Sequence, residues 1–268
     1  MMQDQSGMFA EERRQKILAL LHQEKRVIAK ELAERFEISI DSIRRDLTIM
    51  EEQGLLQKTH GGAIPSMKVR QPPQPPELRY GEGTQEGNAI AKLAVSYIRG
   101  KDTLFIGSGS LTYLLLKHLP EQMPLTIVTN SMNVAEALRE REWIDTYLIG
   151  GRVKPSGNMT DVLASESIRQ FKFDIGFMTG GGISDEGIFV ATPEVAAFGR
   201  AASAVSRRRI GMATHHVIGQ DGFAKAGAVE DLDVLITDEK ADQEVVKRIQ
   251  ETGVKVVVAK TEESSSSC

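Results

Sequence analysis

The sequence predicts an α/β protein, with a winged helix-turn-helix followed by a mostly parallel, doubly wound α/β domain. Amphipathic segments of helix length occupy residues 10–52, and a proline-rich stretch follows at 71–76. Beyond it, short apolar strands alternate with segments of helix length, which is typical of βαβ crossovers and a helix-covered parallel sheet. With 268 residues, the chain is long enough for one small domain and one full-sized core.

Residues 38–50 have the pattern of a DNA-recognition helix. Four apolar residues recur at helical spacing and form one face: Ile40, Ile43, Leu47 and Met50. Four polar residues lie off that face: Ser39, Ser42, Arg44 and Arg45. Ser39 or Asp41 can cap the helix start, and an arginine can bind guanine O6 and N7 or clamp a phosphate. The alternative for this stretch alone is a solvated helix face with two surface arginines.

The flanking residues favour the recognition helix. Amphipathic helices are predicted at residues 11–22 and 27–36, and residues 37–39 are a turn short enough for a tight helix–helix corner. The helix-turn-helix therefore spans about residues 27–46. Gly54 is expected to end the recognition helix in the left-handed conformation. A small β wing follows, and we expect its residues Lys58, His60 and Gly61 to approach a phosphate backbone.

Overall charge does not indicate nucleic-acid binding. The formal net charge is −4, and residues 1–66 carry ten Lys and Arg against eleven Asp and Glu, a net −1. DNA binding therefore requires Arg44, Arg45, Lys58 and His60 to gather on one face, with acidic residues such as Glu31 turned away.

Composition also restricts the cellular setting. No apolar run is long enough to span a bilayer, and residues 1–7 lack the basic-then-apolar pattern of a signal peptide. The single cysteine, Cys268, is the last residue, so no internal disulfide framework can form. We expect a cytoplasmic protein with no membrane partner.

Prolines mark the domain boundary. The segment Gln-Pro-Pro-Gln-Pro-Pro at 71–76 can form neither a helix nor a central strand, because proline lacks a backbone N–H. We expect a DNA-binding domain at 10–65, a semi-stiff linker at 66–85, a second domain with the larger core at 86–260, and a frayed tail at 261–268. A peptide-recognition role for the prolines is the alternative to a plain linker.

Small and hydroxyl residues recur where the predicted strands of the second domain end. These strands cover residues 103–106, 125–128, 146–149, 175–178, 209–213, 234–236 and 254–258. Parallel strands share one carboxyl edge where ligands bind, and glycine-rich loops backed by a helix N-terminus can hold an anion. We expect an effector site built from Ser108, Gly109, Ser110, Thr112, Thr129, Asn130, Ser131, Gly150, Gly151, Gly181 and Gly182. The alternative is that these residues only make strand-to-helix turns.

No metal, cofactor or catalytic set is expected. His215 and His216 are adjacent, and neighbours in a strand point to opposite faces, so they would rarely share one ion. No cysteine or acidic cluster stands at ligand spacing. The run Arg207, Arg208, Arg209 is interpreted as solvated charge at a helix end.

Residues 10–65 resemble the DNA-binding domain of the DeoR/GlpR family of bacterial transcription regulators. The matching runs are Ser42-Ile43-Arg44-Arg45-Asp46-Leu47, Glu52-Gln53-Gly54-Leu55-Leu56 and His60-Gly61-Gly62-Ala63. The family usually has Thr where Ser42 stands, which keeps the hydroxyl. The resemblance implies that Ser42, Arg44 and Arg45 contact DNA, and that Asp46 braces an arginine.

Residues 88–259 resemble the sensor domain of the same family, which is similar in fold to ribose-5-phosphate isomerase and usually senses a phosphorylated sugar or related metabolite. The matching pieces are Gly109-Ser110 with Thr112, Val128-Thr129-Asn130-Ser131, Gly150-Gly151, Asp174, Gly181-Gly182-Ile183 and Ile236-Thr237-Asp238. The chain departs from the family pattern, because Gly107 and Thr214 stand for Asp, Leu111 for Thr, Val217 for Lys, and Gly199-Arg200 for a Lys-Arg pair. Either another ligand binds, or the domain serves mainly for oligomerisation.

Two functions are compatible with these features. We favour a transcriptional regulator that represses a carbohydrate or related operon. It would bind double-stranded operator DNA as a homodimer or homotetramer. Its C-terminal domain would bind a sugar phosphate or related effector that alters DNA binding. The alternative is an isomerase-like enzyme, which needs a base beside a carbonyl and a cation for the enediolate. The positions expected to supply these groups hold Gly107, Thr214 and Val217.

Overall fold

The computed structural model describes residues 10–24, 26–52, 55–65 and 81–261. The chain divides into two compact units, Met1–Pro73 and Gln74–Cys268, and each has its own core. Three expectations lie outside the described residues: the helix end at Gly54, most of the linker (66–80) and nearly all of the tail (262–268).

The N-terminal unit consists of three helices and a three-stranded sheet. In chain order the elements are α1 (Ala10–Glu24), β1 (Val27–Ile28), α2 (Ala29–Arg35), α3 (Ile40–Glu52), β2 (Leu56–Thr59) and β3 (Gly62–Pro65). The antiparallel pair β2–β3 is the predicted wing, and β1 pairs with β3 to give the order β1-β3-β2. The predicted helix at 27–36 is therefore wrong at its start, because the β-branched residues Val27 and Ile28 are extended and join the sheet.

The apolar faces expected from helical spacing form the core of this unit. Ile43, Leu47 and Met50 of α3 are at most 1% exposed, and Ile17 and Leu21 of α1 are equally buried. Because this face of α3 is buried, its opposite face is left in solvent.

The C-terminal unit is built on a seven-stranded sheet in which every pair is parallel. Its strands are β4 (Thr103–Ile106), β5 (Leu125–Thr129), β6 (Ile144–Leu148), β7 (Phe173–Met178), β10 (Ser206–Met212), β12 (Val234–Asp238) and β13 (Lys255–Ala259). They lie in the order β13-β12-β10-β7-β4-β5-β6. All the strands expected from the sequence are present with slightly shifted ends, and the doubly wound fold class is confirmed.

Helices cover both faces of this sheet. One face carries α4 (Gln85–Val95), α5 (Ser110–His118) and α6 (Met132–Leu138), and the other carries α7 (Val162–Ile168), α8 (Pro193–Ala204) and α9 (Gln243–Glu251). Alternate strand residues serve the two cores. Leu104 and Ile106 pack with the first set of helices, whereas Phe105 packs against Phe198 of α8.

A small antiparallel sheet, in the order β11-β9-β8, was not foreseen from the sequence. It contains β8 (Gly182–Ser184), β9 (Gly187–Val190) and β11 (Ala224–Gly227). Along the chain, β8 and β9 lie between β7 and β10, and β11 lies between β10 and β12. The charge run at 207–209 lies within β10, so its placement at a helix end is wrong. There Arg207 pairs with Asp174, Arg209 pairs with Asp233, and the Arg208 guanidinium stands 4.7 Å from the Tyr97 ring centroid.

The strand order defines where a ligand crevice belongs. The chain runs outward from β4 to β5 and β6, and then returns to β7 on the other side of β4. The loops that leave the carboxyl ends of β4 and β7 therefore start side by side and lead in opposite directions. Ligands of such sheets bind at this switch point. None of the described helices is long and apolar enough to cross a membrane.

Candidate functional sites

The start of α3 is capped by a serine. The Ser42 backbone N–H donates to the Ser39 hydroxyl at 3.1 Å, and the two serine hydroxyls are 2.9 Å apart. Of the two caps that the sequence allows, Ser39 therefore makes the bond. Both hydroxyls lie at the exposed start of the helix, where the backbone N–H groups favour an anion such as a DNA phosphate.

The two arginines of α3 differ in their contacts. Arg44 pairs with Asp41 one turn earlier, with an N–O distance of 3.3 Å, and both side chains are largely exposed. Arg45 is also exposed, and it makes no hydrogen bond or ion pair with another residue in the described part of the chain. Arg45 is therefore the guanidinium that can turn to a base edge without first breaking a contact.

Asp46 is buried and braces arginines, as the resemblance implied. Its Oδ2 accepts from Arg13 Nε at 2.7 Å, and its Oδ1 lies 3.4 Å from Arg14 Nη1. The carboxylate is 3% exposed and both arginines come from α1. Asp46 thus fixes α3 against α1 and does not face a DNA backbone.

The wing is attached to α3 through Lys58. Its Nζ donates to the Thr48 hydroxyl at 2.7 Å, and its backbone N–H donates to Glu51 at 2.8 Å. The Thr48 hydroxyl in turn donates to the Arg44 carbonyl at 2.8 Å. Lys58 and Arg44 therefore lie on the same side of the unit, as DNA binding requires.

The tip of the wing is open. His60 and Gly61 are exposed, and a Cβ built on Gly61 would meet no atom within 4 Å. The Gly61 carbonyl accepts from the Ala29 N–H at 2.8 Å, which ties the tip to the start of α2. All seven residues expected to contact DNA thus lie on α3, its cap or the wing.

The N-terminus of α5 lies at the switch point and has no side-chain cap. Gly109 is its N-cap residue, whereas the other five helices of the C-terminal unit are capped by Thr84, Ser131, Asp161, Thr192 and Asp242. The first N–H groups of α5 are consequently available to an outside acceptor. Ser108, Gly109 and Ser110 are half-buried around this end, and the helix begins at Ser110.

The two loops at the switch point touch. A Cβ on Gly109 would lie 2.5 Å from the Thr179 hydroxyl and 3.2 Å from that of Thr112. We call the space between residues 107–110 and 179–181 the switch-point cleft. Thr179 was not among the expected residues, although its position directly after a buried strand is a signal that could have found it.

Three of the expected effector residues point inward and hold the loops. Thr112, Thr129 and Ser131 are all 0% exposed. The Thr112 hydroxyl lies 2.8 Å from the carbonyls of Gly107 and Gly109, Thr129 accepts from the Ser131 N–H, and Ser131 accepts from the Val134 N–H. These side chains therefore shape the cleft instead of lining it.

Asn130 carries a buried acceptor beside Gly107. Its Nδ2 donates to the Met159 carbonyl at 2.9 Å, which fixes the amide, while its Oδ1 has no hydrogen-bond partner among the described residues. A Cβ on Gly107 would lie 3.7 Å from this oxygen. An unpaired buried carbonyl costs about 1–3 kcal/mol, so a hydrogen-bond donor placed here would be stabilising.

The segment after β6 folds back over the end of β5. Gly151 has φ +152, and its Cβ would lie 2.5 Å from the Asp161 carboxylate. Hydrogen bonds from the N–H groups of Ala164 and Arg152 hold the pKa of Asp161 below its ordinary value. Gly150 stands free of such contacts. Buried Gly182 begins β8 of the small sheet, and exposed Gly181 directly precedes it.

A charged pair that the sequence did not indicate joins the loop after β6 to the start of α8. Lys154 Nζ is 3.0 Å from Glu194 Oε2 at the first turn of α8, and Arg152 lies 4.0 Å from Glu194 Oε1. A cavity of about 330 Å³ opens beside it, lined by residues of α7, α8 and the preceding loop, among them Thr160, Ser165, Arg169 and Glu194. This cavity does not coincide with the switch-point cleft.

Three of the residues that depart from the family pattern have structural roles in this chain. Leu111 of α5 is 8% exposed and packs into the core on its side of the sheet, and Val217 packs against the buried cluster around α9 that includes Val245. Arg200 donates to the Lys225 carbonyl at 2.7 Å and so holds β11. These side chains serve packing and not the cleft.

The two adjacent histidines occupy a turn and not a strand. Their ring centroids are 3.8 Å apart, so the expectation that they point to opposite faces is wrong. His215 Nδ1 bonds buried Asp238 Oδ1 at 2.8 Å, and its backbone N–H donates to Oδ2 at the same distance. Within the described residues, no group of three His, Cys, Asp or Glu side chains could hold a metal ion.

A helix-turn-helix with a β wing, followed along the chain by a parallel α/β unit, is the architecture of a helix-turn-helix regulator with a sensor domain. Residues 13–68 match the DeoR-like helix-turn-helix domain, and residues 82–239 match the DeoR C terminal sensor domain. The chain belongs to the DeoR family.

Relatives of known name span nearly the whole chain. The HTH-type transcriptional repressor GlcR of Bacillus subtilis is 30% identical over 96% of this chain and 99% of its own length. The transcriptional repressor AccR of Agrobacterium fabrum is 31% identical over 85% and 89%, and the glycerol-3-phosphate regulon repressor of Escherichia coli is 31% identical over 83% and 88%.

Among solved structures, ribose 5-phosphate isomerase A of Methanocaldococcus jannaschii is similar with a TM-score of 0.34. It is 13% identical, over 47% of this chain and 50% of that one. The observed sheet order, and not this match, carries the fold assignment.

Proposed function

We propose that this chain represses a carbohydrate or related operon by binding operator DNA through α3 and the wing, and that a small anionic effector in the switch-point cleft changes that binding. The assignment to a DNA-binding regulator family rests on both halves of the chain. Residues 66–85 would link the two domains. A regulator of this kind acts where the operator is, which for a bacterial protein is the cytoplasm.

The observation that carries the DNA-binding part is the face formed by Arg44, Arg45 and Lys58. Arg45 is free to reach a base edge, whereas Lys58 is fixed on the wing beside the helix. Base contacts give sequence specificity, while phosphate contacts set the position of the protein on the duplex. We therefore assign base reading to Arg45 and phosphate contact to Lys58, His60 and the N–H of Gly61, with Ser39 and Ser42 at the helix start.

The observation that carries the effector part is the uncapped N-terminus of α5. Backbone N–H groups and the helix dipole at this end favour a phosphate or carboxylate. Asn130 Oδ1 would accept from a hydroxyl or amino group of the same ligand. A sugar phosphate, or a related hydroxylated acid, presents both kinds of group. Names of relatives, such as a repressor of a glycerol-3-phosphate regulon, agree with this class.

We propose no enzymatic activity for the chain. An isomerase would need a base and a cation at the reacting carbon, and the positions where the family pattern has charged groups, Gly107, Thr214 and Val217, supply neither. Glu194 is engaged in an ion pair with Lys154. No observation favours the enzyme over the regulator.

The DNA-binding part is tested by selecting bound sequences from a random DNA pool and measuring their affinities by fluorescence anisotropy. Arg45→Ala should weaken binding to the selected site by about 1–3 kcal/mol and relax the preference at one base pair. The matched control is Arg35→Ala, an exposed arginine of α2 that pairs with Glu24, which should bind like the wild type. Equal affinities for all three proteins would refute the assignment of α3.

A further inference from the structure

Exposed apolar side chains concentrate at one edge of the large sheet. Among the described residues, eight large apolar side chains are well exposed. Six of them lie around β6, and we call them the edge patch: Met132, Tyr147, Leu148, Val153, Val162 and Leu163. The remaining two, Phe223 and Val258, lie elsewhere. Single exposed apolar residues are ordinary, whereas a group of this kind marks a contact surface.

The edge patch surrounds the last strand of the sheet. β6 pairs only with β5, so its outer backbone groups have no strand partner among the described residues. Tyr147 lies on the α7 side, where its ring stands against Phe171, while Leu148 points to the other side. Val162 and Leu163 form the first turn of α7 and are 71% and 65% exposed.

The members of the patch are held by contacts between their segments. The Arg152 N–H donates to Asp161 at 3.1 Å, which brings Val153 close to the start of α7. The Met132 N–H donates to the Gly157 carbonyl at 3.0 Å, which joins the start of α6 to the same loop. The patch is therefore a built surface that wraps around the strand edge.

The opposite edge strand of the sheet, β13, exposes less apolar surface than β6 and its surroundings. β13 begins with Lys255, and it exposes one large apolar side chain, Val258, at 39%. Free strand edges are usually blunted by charge, proline or a covering element. β6 contains a single charged residue, Asp145, so this edge is not protected in that way.

We propose that the β6 edge and the edge patch form the interface between two copies of this chain. An edge strand is self-complementary, because two copies related by a two-fold axis can pair antiparallel and extend the sheet. The patch exposes on the order of several hundred Å² of apolar surface, comparable with the ~800 Å² that each partner buries in a stable interface. A two-fold dimer also presents two recognition helices to an operator with two half-sites.

The proposal is tested first by the mass of the full-length protein in solution, using size-exclusion chromatography with light scattering. The double variant Val162→Glu/Leu163→Glu should run as a monomer at concentrations where the wild type is an oligomer. Both side chains are exposed, so circular dichroism should report an unchanged fold. The matched control is the double variant Phe223→Glu/Val258→Glu, which introduces the same two charges at the two exposed apolar residues outside the patch and should keep the wild-type mass.

Hydrogen exchange provides the second measurement and does not depend on DNA. The β6 amides that point away from β5 should exchange at least tenfold more slowly in the oligomer than in the double variant, whereas the amides already bonded to β5 should exchange equally in both. A monomeric wild type, a double variant with the wild-type mass, or rapid exchange of the outward-pointing β6 amides in an oligomer would each overturn the proposal. The DNA-binding function would stand in every one of these cases, because it is measured separately by anisotropy.

Discussion

Lys58 of the wing and Thr48 of the recognition helix are joined by a hydrogen bond of 2.7 Å from Nζ to the threonine hydroxyl. The same hydroxyl donates to the Arg44 carbonyl. A positive charge that would otherwise move with a long flexible side chain is thereby fixed beside α3. The net charge of −4 gives the chain no overall attraction to DNA, but the fixed position of Lys58 places positive charge beside the recognition helix.

Thr48→Val should weaken operator binding about fivefold, since it removes one hydrogen bond worth about 1 kcal/mol while keeping the shape of the side chain. Anisotropy at fixed salt measures the change, and the dependence on salt should become less steep if Lys58 leaves its phosphate. The matched control is Thr252→Val at the C-terminal cap of α9, where the threonine hydroxyl also donates to a helix carbonyl. Equal affinity of Thr48→Val and the wild type would show that the wing does not depend on this bond.

Asp46→Ala should destabilise the N-terminal unit by about 3 kcal/mol, because the change leaves Arg13 and Arg14 without their buried carboxylate. The free energy of unfolding is measured by urea denaturation followed by circular dichroism. Asp41→Ala removes an exposed carboxylate from the same helix and should change stability by no more than about 0.5 kcal/mol. If both variants unfold at the same urea concentration, Asp46 does not fix α3 to α1.

The sensor unit should lose stability as pH falls from about 4.5 to 2. Burial alone would raise the pKa of Glu86, but the hydrogen bond and charge of Lys240 lower it from 4.5 to about 2. A carboxylate with a lower pKa in the folded state stabilises that state above its unfolded pKa, and the contribution disappears as the group is protonated.

Glu86→Gln tests this pH dependence. As pH is lowered from 4.5 to 2, the unfolding temperature of the variant should fall less steeply than that of the wild type. At neutral pH the free energies of unfolding of the two proteins should differ by about 1 kcal/mol or less. Glu121→Gln, an exposed carboxylate outside the ion pairs of the described residues, serves as the control. Parallel curves for Glu86→Gln and the wild type would contradict the assigned role of Lys240.

Asn130→Ala should change which effector the sensor accepts. The variant removes the buried carbonyl beside Gly107, so a ligand would gain less from a hydroxyl or amino group at that point. We expect ligands with and without that group to shift DNA affinity by more similar amounts in the variant than in the wild type. Thermal unfolding checks the fold, because the bond to Met159 is lost as well. An unchanged preference would place the ligand's donor elsewhere.

Periodicity was enough to predict the helices and the parallel strands. Ile43, Leu47 and Met50 gave the buried face of α3 because a helix repeats every 3.6 residues. The start of α2 was missed because two residues, Val27 and Ile28, are too few to show a strand period, and only their pairing with β3 defines them. The sheet β11-β9-β8 was missed because each of its short strands contains a glycine, which interrupts the apolar run that revealed β4.

The sequence indicated which loops could form the candidate sites, but not which side chains face them. Glycine and hydroxyl residues mark the loops that follow β4, β5 and β7. The sequence could not distinguish Thr112, whose hydroxyl is used inside the loop, from Ser110 at the edge of the cleft. Likewise, the pairing of Lys154 with Glu194 joins residues forty positions apart through tertiary folding. Such contacts have no local signal in the sequence.

The most direct test of the account measures the response of DNA binding to effectors. Wild-type protein on DNA from upstream of its own gene is titrated with ribose 5-phosphate, glucose 6-phosphate, glycerol 3-phosphate and their unphosphorylated counterparts, with anisotropy as the readout. Gly109→Ala should lose the response, because its Cβ would force Thr179 away and disturb the cleft, whereas Gly150→Ala meets no atom and should retain it. The account predicts that a phosphorylated compound shifts the affinity of the wild type and of Gly150→Ala only. An equal response in Gly109→Ala, or a shift caused equally by the unphosphorylated compounds, would contradict it.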